Sequence, residues 1–387
     1  MRIAVIADDL TGAAEIGGIG LSYGLKVEIS RNVNAATTAD MLVINTDARS
    51  LNEADAVQVT KIVSEQLKAL NPQFVYKKID SVMRGHVLPE ITVQCEAMNL
   101  SRAIVVPANP ALGRTLVKGH YYINNVPAHE TSFGHDPEFP VVHSHVLTRF
   151  KHASDRVAVQ PHHVNLNGKA IIIGEAETHG DLANWAEKLQ PGTLAAGAAG
   201  FFTACMDALY PQKQSNNNVG DFNLNGPILY ISGSTFKPSV SLVEKLHAAN
   251  GPVSYMPEQL MQPGNTNDNL INYWANETAG FIADKNKAVM SIPVEDAEHN
   301  GNNAVHRRTQ MAAAVKKVFE QTPISELVIE GGSTAAAILD ALDIDTLLPV
   351  QELAPGVIRS AATKPYVNLH ITLKPGSYRW SDKIWAF

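Results

Sequence analysis

The stretch IAVIADDLTGA, Ile3 to Ala13, decides the fold of the amino-terminal half of the chain. Its five leading apolar residues predict a buried strand, and the aspartates, threonine and glycine after them are typical of the start of a helix. Similar short apolar runs recur along the chain with amphipathic stretches between them. This alternation predicts βα units around mostly parallel sheets, so the predicted fold class is α/β with helices flanking each sheet.

Polar runs follow four of the five strands predicted in the first half. The predicted strands are Ile3–Ala7, Lys26–Ser30, Met41–Thr46, Phe74–Ile79 and Ala103–Pro107. The polar runs are Asp8-Asp9, Asp47-Ala48-Arg49, Asp80-Ser81 and Ala108-Asn109-Pro110. Because ligands of open α/β sheets bind outside the carboxyl ends of the strands, these runs predict a ligand site at one sheet edge.

The alternation of strands and helices starts a second cycle near Ala170 and continues beyond a polar segment. Further strands are predicted at Ala170–Ile173, Ile228–Ser232, Ala288–Ile292, Leu327–Ile329 and Val367–Leu373. Helices are predicted at Asp181–Leu189 with Asp181 as N-cap, Lys237–Ala249, Ala304–Glu320 and Thr334–Leu342. The asparagine-rich segment 211–225 is typical of an exposed linker, so we expect one domain at 1–210 and a second at 226–387.

Composition narrows the class of protein. A chain of 387 residues with 45% hydrophobic residues is not a disordered polymer and suits two domains. Its net charge of -7, without a basic stretch, disfavours a nucleic-acid partner. The two cysteines, Cys95 and Cys205, form no CxxC motif, which indicates a reducing compartment and no thiolate metal site. No apolar run reaches the roughly 18 residues of a bilayer span, so a cytoplasmic protein without a membrane partner is expected.

The polar runs of the first half favour a small anionic ligand with hydroxyl groups. Asp8 and Asp9 are equally compatible with helix capping and with binding or deprotonating a substrate hydroxyl. The segment Lys77 to Gly85 brings together a lysine, Lys78, an acid, Asp80, a hydroxyl, Ser81, and an arginine, Arg84. An arginine fork suits a carboxylate, and such mixed polarity is poorly explained by burial alone.

Neither of the familiar nucleotide motifs is present in the first half. The segment Pro107 to Thr115 has the spacing of a P-loop, but its prolines remove backbone donors, so it more plausibly presents Gly113 and Arg114 to the ligand. Gly18, Gly20 and Gly24 lack the spacing of a dinucleotide fingerprint.

A group of histidines leaves a second interpretation of the function open. The group consists of His120, His129, His135, His143 and His145. Histidines spaced in this way could bind zinc, although the sequence after His129 misses the HExxH pattern. The histidines therefore leave a metal-dependent lyase or hydrolase open as an alternative function. A sensor that binds the anionic ligand without catalysis is a second alternative.

Small-residue turns in the second half predict an anion site built from backbone amides. The turns are Ser232-Gly233-Ser234, Gly331-Gly332-Ser333-Thr334, the turn at Gly356, and the segment with Lys374 and Gly376. Two of them lie between a predicted strand and a predicted helix, where amides at a helix start can bind phosphate without a lysine. Several such turns favour a polyphosphate site over turns that merely connect strands and helices.

Taken together, these motifs resemble the four-carbon acid sugar kinase family over essentially the whole chain. The pattern ADDxTGA corresponds to Ala7–Ala13, KxxDSxxRG to Lys77–Gly85, and PAxPxxGR to Pro107–Arg114. The resemblance makes the histidine group part of a substrate loop. The chain departs from the family pattern at Glu330, before the double glycine, and after Gly376, where Ser377, Tyr378 and Arg379 follow.

The resemblance implies a sugar-acid-binding domain, an ATP-binding domain and an active site in the cleft between them. It implies transfer of a phosphoryl group from ATP with Mg²⁺ to the terminal hydroxyl of erythronate, threonate or a 3-oxo-tetronate. We then expect Asp8 or Asp9 as the base, with Asp80 as competitor, and the substrate held by Lys78, Ser81, Arg84, Gly113 and Arg114. The nucleotide contacts would be Ser232, Gly233, Ser234, Gly331, Gly332, Ser333, Thr334, Gly356, Lys374 and Gly376. The magnesium ligands and the acid's stereochemistry stay open, and a homodimer is one assembly compatible with the sequence.

Overall fold

The computed structural model describes residues 2–136, 139–150, 156–166, 168, 170–211, 222–233, 236–264, 266–293, 301–376, 378–385 and 387. The chain divides into two compact units, Met1–Asn216 and Asn217–Phe387. Most of the predicted linker, residues 212–221, lies outside the described residues, and the predicted domain bounds stay a prediction.

The amino-terminal unit is built from alternating strands and helices. Its strands are β1 (Ile3–Ala7), β2 (Val27–Ser30), β3 (Met41–Asn45), β4 (Phe74–Lys78), β5 (Arg102–Val106), β6 (Arg114–Val117), β7 (His120–Ile123), β8 (Val126–Pro127), β9 (Val157–Pro161), β10 (Ile171–Glu175) and β11 (Thr193–Gly197). Its α-helices are α1 (Leu10–Ser22), α2 (Glu53–Ala69), α3 (Val87–Met98), α4 (Val146–Arg149), α5 (His179–Glu187) and α6 (Ala199–Leu209).

The main sheet of this unit is parallel. Its described strands lie in the order β2-β3-β1-β4-β11-β5-β10-β9, and all of the pairings between them are parallel. Strands β6, β7 and β8 form a small antiparallel sheet. All five residues of β1 and of β3 are buried, as expected for strands covered by helices on both faces.

The carboxyl-terminal unit is also an α/β sheet of mostly parallel strands, with antiparallel strands at one side. Its strands are β12 (Ile228–Ser232), β13 (Val253–Tyr255), β14 (Lys287–Ser291), β15 (Glu326–Glu330), β16 (Thr346–Ala354), β17 (Val357–Ala362) and β18 (His370–Lys374). Its helices are α7 (Lys237–Ala248), α8 (Glu258–Met261), α9 (Asp268–Lys285), α10 (Gly301–Gln321) and α11 (Gly332–Ala341). The order is β13-β14-β12-β15-β18-β17-β16, with β17 antiparallel to both neighbours.

The predicted α/β class with mostly parallel strands is confirmed. One helix start was predicted wrongly: α5 begins at His179, with Thr178 as N-cap, rather than at Asp181. Asp181 is instead the third helical residue, and its carboxylate accepts from the Thr178 backbone amide at 2.9 Å. Thr178 and Asp181 thereby form a reciprocal capping box. Both residue types are common N-caps, so the sequence alone did not show which of the two begins the helix. Among the helices of the described part, none has the length and apolar character needed to cross a membrane.

Candidate functional site

The register of the amino-terminal sheet brings the predicted polar runs to one edge. Ala7, the last residue of β1, lies beside both Asn45 of β3 and Lys78 of β4. Lys78 in turn lies beside Gly197 of β11. The residues that follow these positions, including Asp8 and Asp80, therefore leave the sheet at the same edge, which we call the polyol edge.

Asp9 begins helix α1. As the N-cap it accepts from the Gly12 amide at 2.9 Å, and its second oxygen accepts from the Thr11 hydroxyl at 2.7 Å. A Cβ on Gly12 would lie 2.6 Å from Asp9 Oδ1 and 3.0 Å from Lys78 Nζ, so only glycine permits this close approach. Burial acts to raise the pKa of Asp9, but the charges of Arg49 and Lys78 outweigh it and the pKa is lowered.

Arg49 joins the three aspartates of the polyol edge. It lies in a short 3₁₀ helix, Ala48–Ser50, directly after the polar run of β3. Its Nε is 2.8 Å from Asp8 Oδ2, and its Nη1 is 3.0 Å from Asp9 Oδ2 and 3.8 Å from Asp80 Oδ1. Burial opposes the charge on Arg49, yet these carboxylates raise its pKa well above the usual value. The guanidinium therefore stays charged and holds the carboxylates together.

Both carboxylate oxygens of Asp80 accept hydrogen bonds within the turn that follows β4. Its Oδ2 accepts from Arg84 Nε at 3.0 Å and from the Val82 and Arg84 amides, and its Oδ1 accepts from Arg84 Nη2 at 2.8 Å. Met83 has a φ of 58°, a strained value for a non-glycine residue that this hydrogen-bonded turn maintains. Despite burial, Arg84 and Arg49 hold the pKa of Asp80 well below its usual range.

Asp8 differs from the other two aspartates in its hydrogen bonding. Its Oδ2 accepts from Arg49, whereas its Oδ1 is buried and finds no hydrogen-bond partner among the described residues. A buried carboxylate oxygen without a partner is costly, so such an oxygen points to a group that arrives with a ligand.

The predicted substrate cations differ in how far their charge is already neutralised. Arg84 pairs with Asp80 and, at 2.7 Å, with Asp136. Arg114 donates to the Ser81 hydroxyl and lies 5.5 Å from the centre of the Phe133 ring, without an ion pair among the described residues. The cations Arg84 and Arg114 thus flank one aromatic ring, because Arg84 stacks on Phe133 as well, at 5.3 Å.

Lys78 and Gly113 support this arrangement in different ways. Lys78 Nζ donates to the Ile79 carbonyl at 3.1 Å and lies 3.6 Å from Glu15 Oε2. Gly113 has a φ of 63° and packs against Asn124 so closely that a Cβ would overlap the amide oxygen. This glycine turns the chain into β6, at whose start Arg114 is placed.

Three residues at or near this edge, Arg49, Arg149 and Tyr121, were given no individual role from the sequence. Arg49 had a signal, since the run Asp47 to Arg49 follows a strand, but its role as a bridge could not be inferred. Arg149 had none: it lies in the short helix α4 and donates to the Met83 carbonyl at 3.1 Å. Burial lowers the pKa of Arg149, and burial raises that of Tyr121, whose hydroxyl donates to the Pro107 carbonyl at 3.1 Å.

Three of the grouped histidines, His120, His129 and His145, make hydrogen bonds or ring contacts. His129 Nδ1 lies 2.7 Å from the Ser144 hydroxyl, and the His120 and His145 rings pack edge to face at 4.9 Å. Within the described residues, no group of three or more histidine, cysteine, aspartate or glutamate side chains could hold a metal ion. The side chain of His135 lies outside this description.

In the carboxyl-terminal unit, the predicted turns also meet at one sheet edge. Ser232 at the end of β12 lies beside Glu330 of β15, which lies beside Lys374 of β18. Gly356, with a φ of 72°, belongs to the β16–β17 hairpin turn, and the register of Ile358 beside Leu373 brings that turn to the same edge. We call this edge the phosphate edge. Ser234 lies outside the described residues.

A buried ion pair organises the phosphate edge. Lys374 Nζ is 3.0 Å from Glu330 Oε1 and also donates to the Pro375 and Tyr378 carbonyls at 3.0 and 2.5 Å. The Glu330 carboxylate accepts from Ser232, Ser239 and Trp380 as well. Burial lowers the pKa of Lys374, with Glu330 opposing that effect. The lysine that the sequence predicts as a nucleotide contact thus already has three acceptors inside the protein.

Helix α11 begins at this edge without a capping side chain from its own N-cap residue. Its N-cap, Gly331, has a φ of 96° and makes no side-chain capping hydrogen bond. The first turn is formed by Gly332, Ser333 and Thr334, and a Cβ on Gly233 would lie 2.9 Å from the Thr334 hydroxyl oxygen. Ser232, Gly233 and this first turn are therefore packed closely, and the first-turn amides are of the kind that bind anions.

Comparisons with known proteins match each half of the chain to a domain family. Residues 3–205 match the model of a sugar-binding N-terminal domain, and residues 229–378 match that of a nucleotide-binding C-terminal domain. A sugar-binding domain followed by a nucleotide-binding domain defines the protein as a sugar kinase by class. The chain belongs to the four-carbon acid sugar kinase family.

Relatives match over almost the whole length. A D-threonate kinase of Bordetella bronchiseptica is 27% identical, with 98% of this chain and 95% of the relative covered. A 3-oxo-tetronate kinase of Brucella melitensis is 23% identical, with 98% and 93% covered. The solved structure of a Salmonella typhimurium protein has a TM-score of 0.80 at 19% identity, with 99% and 98% of the two chains covered. This last likeness shows the fold.

Proposed function

We propose that the chain is an ATP-dependent kinase that phosphorylates the terminal hydroxyl of a four-carbon sugar acid: erythronate, threonate or a 3-oxo-tetronate. The observation that carries the proposal is that the charge of Arg114 is not neutralised by any described carboxylate. Its guanidinium contacts a serine hydroxyl and an aromatic ring, and no carboxylate of the described residues pairs with it. The relatives named D-threonate kinase and 3-oxo-tetronate kinase support the same substrate class.

Arg114 is the proposed anchor for the substrate carboxylate. A guanidinium binds a carboxylate through two parallel hydrogen bonds, which fixes orientation as well as charge. Arg84 already pairs with Asp80 and Asp136 and is better suited to keeping the turn in shape. Ser81 and Lys78 would complete the contacts to the hydroxylated acid.

Asp8 is the proposed base. The oxygens of Asp9 and Asp80 accept from amides, hydroxyls or arginines, and the lowered pKa of both groups makes them weak proton acceptors. Asp8 Oδ1 is buried and unpartnered, so it can accept the proton of a substrate hydroxyl without breaking an existing bond. Arg49 would keep the other oxygen in place.

The phosphate edge is the proposed ATP site. The first-turn amides of α11, with Ser232, Gly233, the Gly356 turn and Gly376, would bind phosphate oxygens, and Lys374 would hold the edge together through Glu330. Magnesium commonly binds ATP phosphates with one or two carboxylates and water. The described side chains offer no cluster of three or more metal-binding residues, so we assign the ion no protein ligands. An active site in the cleft between the domains stays part of the proposal.

A substrate panel tests the function. ATP consumption would be measured with four- and five-carbon sugar acids, their oxo derivatives, and the neutral polyol erythritol as the control without a carboxylate. We expect ADP release with a four-carbon acid and none with erythritol. Arg114→Gln should raise KM for the acid by about 10-fold or more, because it removes a hydrogen bond between charged groups and the free energy of that bond corresponds to such a factor. Arg102→Gln is the matched control, because Arg102 begins β5 and therefore lies at the sheet edge away from the site.

The outcomes separate the candidate functions. Binding of both ligands without ADP formation would favour a sensor over a kinase. Turnover of a sugar acid without ATP would favour a lyase or hydrolase. Equal KM values for wild type and Arg114→Gln would contradict the assignment of the carboxylate anchor.

A further inference from the structure

Arg307 is a buried cation to which the described residues supply no partner. It lies in helix α10 and is 8% exposed, and its Nε is buried without a hydrogen bond. None of the ion pairs among the described residues includes it. A buried guanidinium without a counter-charge destabilises a fold, and departures of this kind from good packing are expected chiefly at functional sites.

Arg307 continues the face of α10 that packs on the interior. Met311, Ala314 and Val315 are fully buried and follow Arg307 at intervals of four, seven and eight residues, so they share its face of the helix. Gln310, one turn from Arg307, is 3% exposed, and its side-chain oxygen is also without a partner. The apolar face of the helix therefore ends, toward its amino terminus, in two unsatisfied polar groups.

The topology puts this end of the helix at the phosphate edge. Helix α10 connects β14 to β15, and both strands pair in parallel with β12. The helix must therefore run against the strands and begin at their carboxyl ends, as α11 does after β15. Helices α10 and α11 pack against one another. Arg307 is the seventh residue of α10, about 9 Å along the axis from its start, and helical side chains lean toward the amino terminus.

We propose that Arg307 binds the β- or γ-phosphate of the nucleotide at the phosphate edge. The inference rests on the proposed function. Lys374 is engaged by Glu330 and two carbonyls, so positive charge for a polyphosphate has to come from another residue. No carboxylate of the described residues pairs with Arg307, and a guanidinium in that state is ready to bind a phosphate.

Nucleotide binding without sugar acid provides the test. Dissociation constants for ATP, ADP and AMP would be measured by calorimetry, and melting temperatures recorded with and without ATP, for wild type, Arg307→Met, Arg307→Lys and Arg308→Gln. We expect Arg307→Met to weaken ATP and ADP by about 10-fold or more and AMP by less than about threefold. Arg307→Lys should keep part of the affinity. Arg308→Gln, which removes the same charge from the neighbouring position, should bind like wild type.

The melting temperatures distinguish a binding role from a structural one. Without nucleotide, Arg307→Met should melt at or above the wild-type temperature, because it removes an unpaired buried charge, while the ATP-induced rise becomes smaller. Equal weakening of all three nucleotides together with a lower melting temperature would overturn the inference, as would unchanged ATP affinity. Failure of the wild-type protein to bind ATP would instead overturn the proposed function.

Discussion

Replacing Asp8 by asparagine tests the proposed base with little change to the fold. Asparagine has nearly the same volume, and its amide oxygen can still accept from Arg49 Nε, which lies 2.8 Å from Asp8 Oδ2. Its amide nitrogen would then occupy the position of Oδ1, the oxygen without a partner in the structure. The variant therefore keeps the arginine contact and loses the proton acceptor.

The expected loss follows from the chemistry of that oxygen. A positioned general base contributes about 100- to 10,000-fold to turnover, or about 2.7 to 5.5 kcal/mol. Asp9→Asn is the matched control, because asparagine is as good an N-cap as aspartate and Gly12 can still be capped. We expect kcat to fall at least 100-fold for Asp8→Asn and less than about tenfold for Asp9→Asn.

The assay is ADP release at saturating ATP with the acid identified by the substrate panel, so that kcat and KM are obtained separately. KM for the acid should change much less than kcat in Asp8→Asn, because Arg114 and Ser81 are untouched. A kcat within about fivefold of wild type for Asp8→Asn would refute the assignment. A larger loss of kcat in Asp9→Asn would transfer the role to Asp9.

Three further perturbations follow from the contacts at the two edges. Gly12→Ala should weaken sugar-acid binding in calorimetry, because its Cβ would lie 2.6 Å from Asp9 Oδ1, and wild-type affinity would contradict this. Glu330→Gln should lower the free energy of unfolding by about 3 to 5 kcal/mol in urea titrations, since the buried Lys374 loses its counter-charge. The pKa of Asp80 is lowered on folding, so its stabilisation is present above about pH 4 and is lost as pH falls further. Asp80→Asn should accordingly be less stable than wild type at pH 7, with a gap that narrows by pH 3; a constant gap would contradict the pKa direction.

Strand positions were predictable from the sequence because buried parallel strands are continuous apolar runs. Ile3–Ala7 and Ile228–Ser232 were predicted residue for residue, and most other predicted strands differ by one or two residues at an end. The long helix α9, with tyrosine, asparagine and threonine among its residues, was not predicted. The hairpin of β16 and β17 was missed too, since Gly356 was interpreted only as a phosphate turn.

The grouping of the predicted site residues at one sheet edge could be predicted from the sequence, but their contacts could not. Asp8, Asp9 and Asp80 follow strands that the register aligns, so their approach could be expected. Their different hydrogen bonding depends on Arg49 and on the turn at Arg84, which no local pattern specifies. Likewise, Lys374 resembles a phosphate-binding lysine in sequence until its pairing with Glu330 is seen.

The enclosed position of Lys374 bears on how this kinase can be labelled or inhibited. Reagents that acylate the lysine of a nucleotide site need an accessible, uncharged amine, and the Lys374 ammonium has no solvent-exposed surface. Lysine-directed affinity labels should therefore leave this position unmodified. Compounds aimed at the proposed nucleotide site would have to gain affinity through main-chain amides and Arg307 rather than through Lys374.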